Sequence, residues 1–252
     1  MPAKIDAPQR ESMLEAQSLS QDLFSEFGTV IENPAPSLVP SQTCEVPPNA
    51  VQANQGSALK YLDVTHMRDL YASGTPSKQA AKAVMNMFVC APRPLLPSDT
   101  PQVEGLFPVK ILERHPYTTQ TFIPLGISRA DTNQSRYIVI VAPSSPPSLQ
   151  DEGFPVPSVT ANGDPLPGRG LPDLMRIKAF VANGSQAVTY GAGTWHAPMV
   201  AIGKTPIAFV VVQFANGVGI EDCQEVEIGR GRTNPLEVAV PESSQNRGLW
   251  RL

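Results

Sequence analysis

The chain has 252 residues, of which 41% are hydrophobic, and a formal net charge of −4. That is enough apolar material for one sizeable core, so a single domain over 1–252 is expected. The mild acidity offers no electrostatic footprint for nucleic acid or an anionic membrane. No stretch approaches the about 18 apolar residues of a membrane-spanning helix.

In chain order, the N-terminus MPAKIDAPQRESM is polar and lacks the apolar centre of a signal peptide. Ser18-Leu19-Ser20 offers a hydroxyl cap for a short helix carrying Leu23, Phe24 and Phe27 at i, i+1 and i+4. Gly28 is placed to stop it, and 29–32 reads as the strand that follows. Residues 33–54 are rich in proline, serine and asparagine and read as a surface loop. Residues 76–84 suggest a helical turn running into an apolar strand at 84–91. From there short strands recur at 109–115, 121–124, 137–142, 175–182, 187–190, 199–202, 207–214 and 224–228, each bounded by turn residues. Asn183-Gly184 predicts a hairpin, because both residues tolerate positive φ. Two stretches break the pattern. Residues 143–172 read as a long Pro/Gly-rich excursion, and 229–252 as a loosely tied tail.

The 27 prolines and 18 glycines favour many short elements over long ones. The fold class expected is therefore all-β: a jelly-roll barrel with one short N-terminal helix and long loop insertions. Cys44, Cys90 and Cys223 are odd in number and widely spaced, which argues for reduced thiols and a cytoplasmic location rather than a disulfide framework. The terminal Trp250-Arg251-Leu252 is a degenerate peroxisomal address at best.

The chain has three histidines. His66 stands without a motif. On a strand over 109–115, Glu113 and His115 would share a face, and Gln120 would share the next strand's face with Phe122. Gly191 and Gly193 permit a tight turn that feeds His196 into the following strand. Arg176, Lys178 and Phe180 would share one face of the strand at 175–182, with Lys178 free to pair with an anion or simply to be solvated.

His115, Gln120 and Gly126 resemble the first motif of the cupin superfamily, and Gly193 with His196 resembles the second. The resemblance narrows over longer segments. These are Phe24-Ser25-Glu26-Phe27-Gly28-Thr29-Val30-Ile31-Glu32, the ERHP…TQ.FIP block in 112–124, 137–142, Pro172-Asp173-Leu174 with 179–184, Trp195-His196-Ala197-Pro198, and Asp222-Cys223 with Glu225. In this order they resemble the ureidoglycolate lyase family of allantoin degradation, and the long insertions at 33–54 and 151–171 resemble its fungal branch. The family pattern departs at two cupin positions: Glu113 stands where a ligating histidine is common, and Gln120 replaces the usual acid.

The resemblance implies a lyase that splits ureidoglycolate into glyoxylate and urea, acting as a homodimer in purine catabolism. His196, His115 and Lys178 are the expected catalytic groups, with Gln120, Lys178 and Tyr190 contacting substrate. Glu113, His115, Gln120 and His196 are the expected set for a divalent cation such as nickel or zinc, if one is used. Rival readings are a hydrolase releasing ammonia from the same substrate and a non-catalytic cupin that binds a small carboxylic acid.

Overall fold

The fold follows from a period of two. In the strand IAFVVVQFA, Ile207, Phe209 and Val211 are buried while Ala208 and Val210 between them are only partly buried. By contrast, all of 137–142 are buried, as expected of a strand covered on both faces. The computed structural model describes residues 3–8, 13–126, 135–158, 167–229 and 235–243.

The strands are β1 (Ala3–Asp6), β2 (Leu14–Ser18), β3 (Gly28–Glu32), β4 (Ala50–Ala53), β5 (Ala58–Tyr61), β6 (Lys82–Cys90), β7 (Val103–Pro108), β8 (Ile111–Arg114) and β9 (Gln120–Leu125). They continue as β10 (Ser135–Ala142), β11 (Lys178–Ala182), β12 (Gln186–Tyr190), β13 (Trp195–His196), β14 (Val200–Gly203), β15 (Ile207–Ala215), β16 (Gln224–Gly229) and β17 (Glu237–Pro241). The helices α1 (Gln21–Phe24) and α2 (Gly219–Asp222) have one turn each. Among the described residues a ten-stranded sheet runs β1-β16-β8-β13-β10-β11-β2-β17-β7, with β14 also on β10. A five-stranded sheet runs β3-β12-β9-β15-β6, and β4 with β5 forms a separate hairpin. This is the expected all-β, cupin-like architecture.

β10 separates two cores. Tyr137, Val139 and Val141 point between the sheets, where they pack with Phe24, Phe180, Val188 and Phe209. Ile138, Ile140 and Ala142 point the other way, into a cluster with Leu112, Leu171, Leu174, Trp195 and Val238. Phe154 and Leu171, from the described parts of the stretch 143–172, thus cover the outer face of the large sheet.

Several expectations change. The helix is one turn long, and Ser20 makes no side-chain cap bond. Gly28 opens β3 instead of capping the helix. Residues 76–81 hold no helix, and β6 starts at Lys82. Asn183-Gly184 is not a hairpin: β11 and β12 belong to different sheets, and neither residue takes positive φ. Instead the Asn183 side chain accepts from Ser185 N, which turns the chain from one sheet to the other. β11 begins at Lys178, so Arg176 lies before the strand. Within the stretch read as a loose tail, β17 pairs with β2 and β7, and Val238, Ala239 and Val240 are buried. Residues 244–252, with the terminal tripeptide, lie outside the described residues.

Gly28 has no slack. It sits at φ 152°, and a Cβ there would lie 1.9 Å from the Thr189 carbonyl oxygen on β12. Gly28→Ala must part β3 from β12, so we expect a loss of about 3 kcal/mol, or roughly 6–12 °C in melting temperature. An unchanged thermal transition would show that the close approach is not required.

Candidate functional site

The site grows from one row across the large sheet. Glu225 is paired with Glu113, Glu113 with His196, His196 with Val141, and Val141 with Lys178. Residues in register share a face, and for this row it is the face turned toward the small sheet. His115 follows β8, and its carbonyl accepts from Gly193 N at 2.9 Å. Gly193 holds φ 76°, and a Cβ there would lie 2.3 Å from Pro167 Cβ. The glycine turn that delivers His196 therefore also pins His115.

The two imidazole centroids are 5.5 Å apart. From the small sheet, Tyr190 stacks on His196 at 4.0 Å and 10°. His115 Nδ1 lies 2.6 Å from the Asp222 carbonyl, and His196 Nδ1 lies 2.9 Å from the Thr194 carbonyl. A carbonyl only accepts, so both Nδ1 atoms carry the hydrogen and both Nε2 atoms present lone pairs. These two Nε2 atoms are buried without a partner, as is Gln120 Oε1. Gln120 Nε2 donates to Gln213 Oε1 at 2.6 Å, which sets the amide's orientation. Glu113 Oε1 stands 3.7 Å from His196 Nε2. Donor atoms of Glu113, His115 and His196 all lie within 4.8 Å of one another.

Burial governs the proton affinities. It presses His196 down to about 3, helped by the neighbouring His115 and opposed by the Thr194 carbonyl. It lowers His115 too, against the Asp222 carbonyl, the Asp222 charge and Gln120. Burial and the Glu225 charge push Glu113 up to about 7, against the Cys223 thiol. Cys223, whose Sγ is 3.9 Å from Glu113 Oε2, is raised to about 12 by burial and the surrounding carboxylates. Glu113, Cys223 and Glu225 form a second donor cluster that shares Glu113. At neutral pH the centre thus holds neutral imidazoles whose lone pairs face an amide oxygen and a carboxyl. Such a group of acceptors fits a cation or a donor-rich ligand.

The structure brings together Glu113, His115, Gln120 and His196, and sets Tyr190 as the wall behind His196. Lys178 shares their face but stands two strands from His196, about 10 Å away at the usual strand spacing. Its Nζ lies 3.5 Å from Glu26 and 5.2 Å from the Phe27 ring centroid. Arg176 pairs with the same Glu26. His66 is exposed.

Reading by residue type missed the main-chain carbonyl that orients His115. It also missed Gln213 and Arg114. Arg114 alternates to the opposite face of β8, is fully buried, and lies 4.4 Å over Trp195. It donates to Gln224 Oε1 and to the carbonyls of Gly168, Arg169 and Gly170, at 2.6–3.2 Å. Burial lowers it to about 9, against the Asp151 charge. Its place between Glu113 and His115 was the available signal.

A sequence profile of the ureidoglycolate lyase family matches residues 11–234. A ureidoglycolate lyase of Schizosaccharomyces pombe is 34% identical over 229 residues, covering 91% of this chain and 96% of its own. One of Saccharomyces cerevisiae is 34% identical over 192 residues, covering 75% and 78%. A bacterial one from Burkholderia mallei is 26% identical over 209 residues, covering 83% and 87%. With the profile spanning most of the chain and the paired imidazoles standing on the motifs that suggested it, the chain belongs to the ureidoglycolate lyase family.

Proposed function

We propose that this chain is a ureidoglycolate lyase, cleaving its substrate to glyoxylate and urea in purine catabolism. The observation that carries the reading is the pair of buried imidazoles, 5.5 Å apart, with both Nε2 atoms unpartnered beside Glu113. Ureidoglycolate bears a carboxylate, a hydroxyl and a ureido nitrogen on or beside one carbon. Elimination breaks O–H and C–N, forms C=O, and moves the proton to the departing nitrogen.

The unprotonated Nε2 atoms of His115 and His196 accept the substrate hydroxyl hydrogen. Glu113, raised to about 7, is the group matched to hold and pass a proton near neutrality. Gln120 binds the ureido amide, and Lys178 turns from Glu26 to the substrate carboxylate. Tyr190 keeps the His196 ring in plane. The unpartnered acceptors also fit a divalent cation, nickel or zinc. Glu113, His115, Gln120 and His196 would hold it, and it would lower the pKa of the substrate hydroxyl. Three free thiols suit a reducing compartment, and we place the protein in the cytoplasm. No helix among the described residues is long and apolar enough to cross a membrane.

We also propose a homodimer through the outer face of the small sheet. Met85, Met87 and Val89 of β6 are 63–72% exposed, and Ile123 and Leu125 of β9 are 37% and 43% exposed, with Val210 and Val212 between them. This block carries no charge. A two-fold axis sets a patch against itself, and an uncharged apolar patch meets its own copy without repulsion.

Purified protein incubated with ureidoglycolate should release urea and glyoxylate in equal amounts without ammonia. Ammonia in place of urea would make it a hydrolase, and no turnover would leave a binding module. His196→Ala should cost at least about 100-fold in kcat/KM. His115→Ala should abolish any stoichiometric metal found by elemental analysis, and retention of that metal would place it elsewhere. Met87→Glu should halve the sedimenting mass, and a monomeric parent protein would dispose of the interface.

Proton linkage gives a further check on the metal-free protein. The folded state keeps the Glu113 proton above the ordinary carboxyl value of 4.5, so that contribution to stability is lost as pH rises toward about 7. His196 acts oppositely: its contribution is present above 6.5 and lost as pH falls toward about 3. Glu113→Gln mimics the protonated acid. Its stability relative to the parent should therefore rise between pH 4.5 and 8, by up to roughly 3 kcal/mol. A pH-independent difference would mean that Glu113 ionises normally.

A further inference from the structure

The ring of His115 is aimed by a carbonyl, and that carbonyl belongs to a turn hung on a distant segment. The Asp222 carboxylate accepts from Asn216 N at 2.9 Å, Gly217 N at 2.8 Å and Tyr71 Oη at 2.6 Å. Next to it, Glu221 is buried and accepts from Ser77 N, Ser77 Oγ and Asn216 Nδ2 at 2.6–2.8 Å. Residues 216–222 are thereby fastened by side chains from both ends of the segment 71–77. Tyr71 is buried, and its ring packs 5.4 Å from that of Tyr117, two residues after His115. The Leu70 amide bonds the Tyr117 carbonyl at 2.7 Å.

We infer that Tyr71 and Asp222 are positioning residues: through the 216–222 turn they hold the Asp222 carbonyl on His115 Nδ1, which fixes the Nδ1–H tautomer and points the Nε2 lone pair into the site. The inference rests on His115 working through Nε2, as the reading above has it. The physical case is one of constraint. A single carbonyl at 2.6 Å selects the tautomer only while the peptide that bears it cannot rotate. Free rotation is blocked by Cys223 N, which lies in the same peptide unit and donates to Gly219 O at 2.8 Å, and by the three donors on the carboxylate. Tyr71 is the one of these donors that comes from outside the turn. It ties the site to a segment from a different part of the chain. The same network buries Glu221, so the strap costs no unpaired charge.

The test is Tyr71→Phe, which removes one hydroxyl and keeps the ring stack, beside Asp222→Ala, which removes the whole cap. Long-range proton–nitrogen correlation spectra of metal-free, histidine-labelled protein report the tautomer directly. The parent should show His115 as a single Nδ1–H form. Tyr71→Phe should show a mixture, and should bind Ni²⁺ about ten-fold more weakly by calorimetry. In turnover, kcat should fall with KM held within about two-fold, the pattern expected when orientation rather than substrate affinity is lost. Asp222→Ala should exaggerate both effects. His196, held by Thr194, should keep its Nδ1–H pattern in every variant and so report an intact fold. An Nε2–H tautomer in the parent, or unchanged tautomer and affinity in Tyr71→Phe, would overturn the inference. If the parent has no activity on ureidoglycolate, the functional reading fails, while the tautomer and nickel results still decide this one.

Discussion

A cluster of lone pairs facing one another without a donor is the constraint around which this molecule is built. His115 Nε2, His196 Nε2 and Gln120 Oε1 are buried and unpartnered within one space. Each such group costs about 1–3 kcal/mol relative to a satisfied one. That cost persists only where the scaffold leaves no relaxed alternative. Each ring is therefore held from behind: Nδ1 on a carbonyl, Tyr190 flat against His196, Gly193 clipped to the His115 carbonyl. The two cores divided by β10 supply the apolar burial that supports it.

Arg114 is the counterweight on the other side of β8. Strand alternation puts Glu113 toward the acceptor cluster and Arg114 toward the excursion, so adjacent residues face opposite problems. The guanidinium lies on Trp195, and its N–H groups are spent on carbonyls of 168–170 and on Gln224. Satisfied in this way, a buried cation is tolerable and rigid. It holds residues 168–170 against the sheet. Trp195, beneath it, is the residue before His196. The satisfied face thus backs the unsatisfied one.

How much of this was legible follows from what a side-chain pattern can carry. A period of two located the main strands and placed Glu113 and His115 on one face, because alternation is a property of the chain itself. Gln120 and His196 joined them through motif spacing. The failures came from partners that only the tertiary fold supplies. Asn183-Gly184 has hairpin chemistry, yet its flanking strands enter different sheets. β17 looked like tail because its neighbours β2 and β7 come from far along the chain. The carbonyl of Asp222 was invisible for a simpler reason: every residue has one, and only geometry singles it out.

The row Glu225, Glu113, His196, Val141, Lys178 also orders charge across the large sheet. Two carboxyl groups stand at one end, the imidazole in the middle, and the ammonium at the other. Burial first, and then the Glu225 charge beside it, are why Glu113 holds its proton so far up. The basic end is already paired with Glu26, so Lys178 is neither desolvated nor idle. The two ends of the row therefore differ in charge, and strand register fixes which end is which. A loop-borne site would have to rebuild that polarity at every encounter, whereas here the ladder of main-chain hydrogen bonds maintains it.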